Sequence, residues 1–584
     1  MNKKIDKTQF KLFLRFLKLL LPYRKIWFLV LTLSSLGALL SLVNPYLTKL
    51  VIDKGFGNKD LRIFLILALI GGGIFVLNGL FGGLRQLLDR YIKIKVNFDL
   101  NKIIFKHLHH LSFAYFTDKS SAEHLYKVNY DIERATEFIT TIPPQSVSIF
   151  PRLLFILGIV FYLNWRMAVI SLILAPFLYL PNYYFVKRVR SAWKILIENY
   201  EAMFKKLSEN FSHIQVIKSF GKETQSTINY LRMLIINIRI KMQNIKLEIS
   251  SSLTSQLFNK AIVGLLAFYG GYQVIKGQMT LGSLAAVMVY LTQLVGLQSQ
   301  FAYFFQTTAL GLVSCRRLAE VLDEKTMVLE SREAKKLKFN KGMIIFEDLS
   351  FGYRPNEPIL KRINFTIEGA SSVALVGPSG CGKTTILNLI LRLYDPWSGD
   401  IKIDGYNIRD LKFSSLREQI GIALQESLLW NDTIKNNIKY GRPEASDEEI
   451  IEVAKICGVD QFVSELPNRY ETVIGENACK ISEGQKQKIA IARAIIKRPK
   501  ILILDEAMSS MDSASEERIL ANIKERQKEL TLIVVSHRLS TIMNTGLVYY
   551  LESSDRIVVD TAKNLLENNQ NFANLFVGQS AICV

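Results

Sequence analysis

The chain is organised around the stretch Gly377-Pro-Ser-Gly-Cys-Gly-Lys-Thr-Thr385. It follows the apolar run 372–376 and precedes the amphipathic run 386–393, so the predicted order is strand, glycine-rich loop and helix. The stretch fits the pattern G-x-x-x-x-G-K-[ST] at every fixed position. Such a loop places backbone N–H groups and a helix N-terminus around phosphate oxygens. The sequence therefore predicts nucleotide binding.

Individual residues of this loop have expected roles at the phosphates. Gly380 and Gly382 let the backbone close around the oxygens, since glycine adopts conformations that other residues avoid. The Lys383 ammonium is expected to reach the β- and γ-phosphates, and the Thr384 hydroxyl is expected to ligate Mg²⁺. The alternative interpretation is a glycine-rich turn that matches the pattern by chance. The residues of the loop expected to bind the nucleotide are Ser379, Gly380, Cys381, Gly382, Lys383, Thr384 and Thr385.

Composition points to a chain that lies partly in a membrane. Hydrophobic residues make up 49% of the 584 residues, and the mean hydropathy is +0.18. The formal net charge of +21 is compatible with nucleic acid, but equally with positive cytoplasmic loops facing anionic lipid. We expect membrane lipids and no nucleic acid as partners. The five cysteines lack disulfide or zinc spacing, which favours reduced thiols in the cytosol.

Six apolar segments are each compatible with the roughly 20 residues that cross a bilayer. The links after the second and fourth segments are long and rich in Lys and Arg, so the positive-inside rule places them in the cytoplasm. The predicted location is the cytoplasmic (inner) membrane, multi-pass, with both termini and the nucleotide-binding part in the cytoplasm. The predicted spans are approximately 26–48, 63–84, 138–164, 167–186, 255–275 and 279–310.

The sequence predicts two domains joined by a linker. Residues 1–322 form an all-α membrane domain, 323–341 a charged linker and 342–584 an α/β domain. Heptad-like runs in the long links predict that membrane helices continue into the cytoplasm, the alternative being disordered linkers. Residues 8–25 separate apolar and basic faces, which predicts a helix in the membrane interface or simply a basic flank of the first span.

Two further apolar runs end in polar side chains. Run 501–504 is followed by Asp505 and Glu506, and run 532–535 leads to His537. The carboxyl ends of parallel strands are where ligands bind in such sheets. We expect Asp505 to hold Mg²⁺ and Glu506 to polarise an attacking water. His537 is expected at the γ-phosphate, although a single histidine is also compatible with a structural role.

Taken together, these motifs resemble an ABC exporter half-transporter. Ile481-Ser-Glu-Gly-Gln485 resembles the family's signature segment, and Ser509-Ser-Met-Asp512 resembles its D-loop. Gln425 lies where the family has its Q-loop glutamine, and Tyr353 matches the aromatic that stacks on adenine. Segments 111–116 and 216–223 resemble the first and second coupling regions. Segment 473–476 resembles the one that contacts the membrane domain.

The resemblance implies a six-helix all-α transmembrane domain with long cytoplasmic helical extensions, followed by an α/β P-loop ABC ATPase domain. It further implies ATP and Mg²⁺ as cofactors, Glu506 and His537 as catalytic residues, and Gln425 as a further metal contact. Two ATPase domains would face head to tail, so that one chain completes the ATP site of the other. The residues expected to act in this way are Ser482, Gly484, Gln485 and Asp512.

The implied function is ATP-driven export or flipping of an amphipathic or hydrophobic substrate, such as a drug, lipid or peptide-like molecule, by alternating access of a dimer. The alternative is an ATP-gated channel or regulatory membrane protein of the same family. Glu483 and Ile481 depart from the usual Gly and Leu of the signature segment. Because Glu506 and His537 are both present, a homodimer is favoured over a heterodimer.

Polar residues within the predicted spans are candidates for the substrate cavity. They are Arg152, Lys260, Gln293 and Gln298. Arg152 and Lys260 are equally compatible with side chains that extend to the cytoplasmic interface. The aromatic residues between 290 and 305 suit an amphipathic substrate or simple helix packing.

Overall fold

The computed structural model describes residues 4–117, 127–475, 478 and 480–576. The chain forms two compact units. The first unit comprises Met1–Leu111 and Asp118–Lys325, and the second comprises Ser112–Thr117 and Thr326–Val584. The short segment Ser112–Thr117, part of the first predicted coupling region, is thus grouped with the second unit.

The first unit is helical. Its long helices account for the predicted apolar segments and for the heptad-like runs of the long links, which are helical rather than disordered. A short helix, α4 (Phe113–Thr117), interrupts the series and belongs to the second unit. The helices are α1 (Lys4–Leu17), α2 (Arg24–Leu50), α3 (Leu61–His110), α5 (Ile132–Leu163), α6 (Trp165–Ser212), α7 (Ile214–Ser219), α8 (Glu223–Ile275) and α9 (Leu281–Leu322).

Three helical stretches in the described part of the chain are long and apolar enough, by length and composition, to cross a membrane. They are Lys11–Phe56, Leu61–His110 and Asn129–Leu163. Shorter apolar stretches occupy Trp165–Leu174 and Leu281–Leu297. The count of six spans therefore stays a prediction.

Polar caps determine where the long helices begin. The Asp60 carboxylate accepts from the backbone N–H groups of Arg62 and Ile63, at 2.9 and 3.2 Å, at the start of α3. Asp53 accepts from the Thr280 hydroxyl at 2.7 Å and from Gly282 N–H at 2.9 Å, and so joins the first short link to the start of α9. These contacts satisfy N–H groups that have no partner inside the helix.

Close packing holds α5 against α9 inside this unit. Gly311 on α9 is required there, because a Cβ atom at this position would lie 2.2 Å from the Phe138 Cβ of α5. The N-terminal segment also packs inward: Phe16 and Leu20 are buried, and Phe13 lies 5.1 Å from Phe138 between ring centroids. The apolar face predicted for the membrane interface is therefore at least partly buried against other helices.

The second unit contains two sheets. The four-stranded antiparallel sheet has the order β2-β1-β4-β5 and the six-stranded sheet has the order β10-β9-β3-β8-β7-β6. The strands are β1 (Ile344–Phe351), β2 (Leu360–Ile367), β3 (Ser372–Val376), β4 (Ser398–Ile403), β5 (Tyr406–Asn407), β6 (Ile420–Ala423), β7 (Ile501–Asp505), β8 (Thr531–Val535), β9 (Leu547–Leu551) and β10 (Ile557–Asp560).

Helices complete the second unit around these sheets. They are α10 (Lys383–Ile390), α11 (Phe413–Glu418), α12 (Ile434–Lys439), α13 (Asp447–Ile456), α14 (Val459–Val463), α15 (Glu483–Ile495), α16 (Ser513–Arg526), α17 (Leu539–Met543), α18 (Ala562–Asn568) and α19 (Gln570–Asn574).

The six-stranded sheet brings the sequence motifs to one edge. Strands β7 and β8 are buried throughout, as expected of parallel strands covered on both faces. Leu375 pairs with Val535, and Val535 pairs with Asp505, so β3, β8 and β7 end side by side. The phosphate loop, the paired carboxylates and the histidine segment all follow these strand ends.

Candidate nucleotide site

The phosphate loop leads directly into α10. Gly380 and Gly382 have φ values of +82° and +107°, which only glycine adopts easily. The Lys383 ammonium is buried and donates to the carbonyl oxygens of Gly377 and Pro378, at 2.7 and 3.1 Å. Ser379, Gly380 and Thr384 are exposed, and Cys381 is half-buried. The loop therefore curls around its own lysine and presents its outer edge to solvent.

Three predicted site residues meet at the sheet edge. Gln425 Nε2 donates to Glu506 Oε2 at 2.8 Å, and His537 Nε2 lies 2.9 Å from Glu506 Oε1. Glu506 itself has a φ of +47° and donates its backbone N–H to the Val535 carbonyl at 3.0 Å. Both carboxylate oxygens are thus held by groups that follow strands β6 and β8. A carboxylate held in this way is in position to orient a water molecule.

Asp505 lies beside Glu506 but in a different environment. Its side chain is buried, and burial together with repulsion by Glu506 raises the pKa of the Asp505 carboxyl to about 6, against a smaller opposing effect of Lys383. Loss of solvation disfavours the charged form of a carboxyl group. A nearby positive charge would lower the pKa of Asp505 again and favour its ionised form. This behaviour fits a residue that contacts a cation.

The donors near this edge suit a magnesium ion that is bound together with phosphate. Thr384, Gln425 and Asp505 offer oxygen atoms, which Mg²⁺ prefers. Among the residues that the structure describes, no group of three or more His, Cys, Asp or Glu side chains is arranged for a metal ion. Mg²⁺ commonly uses few protein oxygens when it keeps waters and binds substrate phosphates.

Tyr353, the predicted adenine-stacking residue, is 47% exposed and is held beside α10. Its hydroxyl lies 3.3 Å from the buried Thr385 hydroxyl and accepts from Asn388 Nδ2 at 3.2 Å. Its ring contacts Tyr394 at a centroid distance of 5.2 Å. The Tyr394 ring also meets Phe113 of α4 at 6.1 Å, so the first predicted coupling region borders this aromatic cluster.

The signature segment begins helix α15. Ser482 is its N-cap and forms a capping box with Gln485: each side chain bonds to the backbone N–H of the other residue. The unusual Glu483 pairs with Lys486 at 3.1 Å. Gly484 is closely packed, because a Cβ atom would lie 3.0 Å from the Ser510 carbonyl oxygen and a side chain would require this backbone to shift slightly.

The signature residues are not joined to the phosphate loop of the same chain. Among the described residues, no hydrogen bond or ion pair links Ser482, Gly484 or Gln485 to residues 377–385. Asp512 caps α16 by accepting from Ser515 N–H at 2.7 Å. Of segment 473–476, Glu476 lies outside the described residues.

Sequence reasoning missed the residues that hold the D-loop in place. Gln487 Nε2 donates to the Ser509 and Ser510 hydroxyls at 3.2 and 3.4 Å. Arg538 donates to the carbonyls of Met511 and Ser509, both at 2.8 Å, and to the buried Glu516 at 2.7 Å. Arg538 directly follows His537, and this adjacency is the signal that could have identified it.

In the first unit, two of the predicted cavity residues meet. Arg152 Nη2 donates to Gln293 Oε1 at 3.2 Å, which joins α5 to α9. Lys260 lies exposed on α8 and is not part of this pair. The side chain of Gln298 lies outside the described part of the structure.

Comparison with known proteins identifies the family. Residues 27–298 match the family model described as ABC transporter transmembrane region, and residues 360–509 match the one described as ABC transporter. The chain is 32% identical over 557 residues to an ATP-dependent lipid A-core flippase of Desulfotalea psychrophila, covering 95% of this chain and 97% of the relative. It is also 32% identical to a multidrug export ATP-binding/permease protein of Staphylococcus aureus, covering 96% of this chain and 99% of the relative.

A solved structure agrees with these matches. A bacterial Atm1-family ABC exporter with ATP bound superimposes with a TM-score of 0.83 at 26% identity, covering 96% of this chain and 99% of the other. The chain belongs to the ABC transporter family and is an exporter with its membrane domain and ATPase domain fused. It is a multi-pass membrane protein that binds ATP and couples ATP hydrolysis to the export or flipping of hydrophobic substrates. The predicted class and function are thus confirmed.

Proposed function

We propose that two copies of this chain form a homodimer in the cytoplasmic membrane that exports or flips small amphipathic molecules. The observation that carries the proposal is Glu506, held between Gln425 and His537 at the strand edge beside the phosphate loop. The relatives, a lipid A-core flippase and a multidrug exporter, support an amphipathic substrate. A chain that has both Glu506 and His537 needs no partner of different sequence for hydrolysis, which supports a homodimer.

Each side chain at the strand edge has one task in this proposal. Lys383 neutralises the β- and γ-phosphates, Glu506 orients the attacking water, and His537 contacts the γ-phosphate. Tyr353 stacks on the adenine. Thr384, Gln425 and Asp505 would hold Mg²⁺, which supplies further positive charge to the phosphates when ATP is bound. Catalysis then depends on position and electrostatics, as is general for phosphoryl transfer.

The second copy completes the site. The N-terminal end of α15 carries partial positive charge from its aligned peptide dipoles, which suits a triphosphate. In one chain this end is not bonded to the phosphate loop, so we assign Ser482, Gly484, Gln485 and Asp512 to the ATP bound by the partner. Closure of the dimer on two ATP molecules would drive alternating access, because ATP binds the closed state better than the open one.

The proposed domain organisation follows the same division. Residues 1–322 form the membrane domain with six spans, 323–341 the linker and 342–584 the ATPase domain, with both termini in the cytoplasm. Grouping of Ser112–Thr117 with the second unit supports a coupling role for that segment. Ile214 and Val216 of α7, and Phe220 just after it, are exposed apolar residues, which supports the second coupling region.

The proposal is tested by the substitution Glu506→Gln in the purified, reconstituted dimer. This change keeps the shape and the bond from Gln425 but removes the charge that orients water. ATPase activity and ATP-driven flux of a labelled amphipath should fall at least 100-fold, while binding of ATP remains.

Glu529→Gln is the matched control, because Glu529 pairs with Lys500 at 2.7 Å outside the strand-edge site. Its ATPase rate should stay within about twofold of the unchanged protein. ATPase activity that survives Glu506→Gln would contradict the catalytic assignment. Ion conductance that requires ATP, with no amphipath flux, would instead support a channel.

A further inference from the structure

In the membrane unit, the Arg152 guanidinium is hydrogen-bonded but forms no ion pair with a carboxylate among the described residues. The Gln293 side chain accepts from Arg152 at 3.2 Å and donates to the Ser41 carbonyl oxygen of α2 at 3.3 Å. Arg152 is therefore fixed by contacts that involve α2, α5 and α9. A guanidinium held by a neutral amide keeps its full charge.

A recess of about 60 Å³ lies beside Arg152, between α2 and α5. Its lining residues include Ser35 and the apolar residues Leu39, Val147 and Phe155. Pro151 also lines it and, having no N–H, cannot donate the intrahelical hydrogen bond to the Val147 carbonyl. The volume suits a compact headgroup of a few heavy atoms.

The hydrogen-bonding capacity of Arg152 is not used up. A guanidinium has five N–H donors. Arg152 Nε is buried from solvent and has no acceptor, and no carboxylate forms an ion pair with Arg152 among the described residues. A charge in apolar surroundings without a counter-ion is costly, and arginine is the side chain best suited to bind a carboxylate or phosphate with two bonds.

An aromatic cluster lies further along the same helices. Phe150 of α5 contacts Phe301 and Phe304 of α9 at centroid distances of 5.8 and 6.3 Å, and the exposed Phe305 packs against both of the latter. Phe301 follows Gln293 by eight residues, which is roughly 12 Å along a helix. Hydrocarbon extending from a headgroup at Arg152 would reach these rings.

From this arrangement we infer that Arg152 binds the anionic headgroup of the transported amphipath, a carboxylate or phosphate, while the hydrocarbon chain lies against the Phe150 cluster. Gln293 orients the guanidinium through its hydrogen bond to Nη2. This inference rests on the proposed function and specifies its substrate as an amphipath with a compact negative headgroup.

The test uses the full-length dimer in phosphatidylcholine vesicles and a set of fluorescent amphipaths with one dodecyl chain. Their headgroups are a carboxylate, a phosphate, an uncharged amide and a trimethylammonium. The unchanged protein should transport the two anionic probes at least tenfold better than the other two, measured as kcat/KM. Acetate and inorganic phosphate are added separately, to distinguish binding of an amphipath from binding of a free anion.

Arg152→Gln should remove the preference for anionic probes, so that their kcat/KM falls to that of the amide probe, which is still transported. Arg152→Lys should keep part of the preference, because the charge remains but the two-pronged geometry is lost. Arg166→Gln is the matched control, since Arg166 makes a similar bond to Gln278, at 3.0 Å, on the exposed surface. It should keep the full preference.

Transport of all four probes at similar rates, or an anionic preference that survives Arg152→Gln, would overturn the inference and leave the proposed function standing. Competition by acetate or inorganic phosphate as effective as that by the dodecyl anions would also overturn it. Failure to transport any probe, together with ATPase activity that no probe alters, would count against the proposed function itself.

Discussion

Lys383 in the ATPase unit and Arg152 in the membrane unit are cations held inside the protein by very different means. Lys383 donates to two carbonyl oxygens of its own loop, within six residues of itself. Arg152 bonds to a glutamine 141 residues away, and that glutamine bonds to a third helix. A site built by one short loop can be read from a motif, whereas a site built by three distant helices cannot.

The largest effect should come from removing the charge of Lys383. Lys383→Ala takes away the charge expected at the phosphates, so ATP binding should weaken at least 100-fold and hydrolysis should stop with every substrate. Binding of a fluorescent ATP analogue and phosphate release measure the two effects. If Lys383→Ala merely altered substrate preference, as expected for Arg152→Gln, the distinction between the two cations would fail.

The buried carboxyl beside Lys383 should make stability depend on pH. The folded pKa of Asp505, about 6, is above the ordinary carboxyl value, so the folded protein binds this proton more tightly than the unfolded chain. Stability without nucleotide should therefore fall as pH rises from about 4 to 6, by at most about 3 kcal/mol.

Asp505→Asn should remove this part of the pH dependence. Thermal unfolding of the purified protein without nucleotide, followed across that pH range, provides the measurement. Identical pH profiles for the variant and the unchanged protein would contradict the environment assigned to Asp505. The exposed Asp555→Asn control keeps Asp505 and should therefore show the same fall in stability with rising pH as the unchanged protein; the pKa of Asp555 is lowered mainly by its bond from Ser553.

A smaller effect is expected from substitution of Arg538, which acts by holding the D-loop in position. Arg538→Gln removes the bonds to the Ser509 and Met511 carbonyls and leaves the buried Glu516 without its cation. The D-loop should lose its fixed position, and kcat should fall about tenfold with little change in ATP affinity. A Gln487→Ala variant, which loosens the same loop from α15, should behave alike. If the main effect of Arg538→Gln were weaker ATP binding, Arg538 would act by contacting the nucleotide and not by positioning the D-loop.

The smallest effect concerns the unusual glutamate of the signature segment. Glu483 places a negative charge, compensated in part by Lys486, at the helix end proposed to meet the partner's ATP. Glu483→Gln should improve the apparent ATP affinity for hydrolysis about threefold, because like charges no longer approach. The gain should shrink at high salt, where charges are screened. An equal gain at all salt concentrations would exclude this electrostatic cause.

Several parts of the ATPase unit were predictable because their patterns are local. The order of strand, loop and helix around Lys383 follows from adjacent residues, and the buried runs before Asp505 and His537 indicate parallel strands. Their meeting at one edge follows from the parallel arrangement of the strands. Arg538 was missed because its partners at 509, 511 and 516 have no recognisable spacing relative to it.

The membrane unit was less predictable. Apolar length predicts helices but contains little information on which face of each helix packs where, since lipid and protein interior are both apolar. Arg152 and Gln293 were selected as polar residues within apolar helices, and the structure joins them by a hydrogen bond, while their place in a substrate cavity stays a prediction. The same reasoning gave Lys260 equal weight, yet it lies exposed on α8 in the single chain.

The amino-acid sequence by itself thus determined the family and the two-part architecture and predicts the residues around the phosphates, because each depends on contacts between near neighbours or on strand ends that must align. Tertiary structure alone decided that Gln425 and His537 hold the two oxygens of Glu506, and that Arg152 lies against Gln293 beside a recess. These contacts join elements far apart in the chain, and their geometry depends on how strands and helices pack rather than on any local pattern of residues.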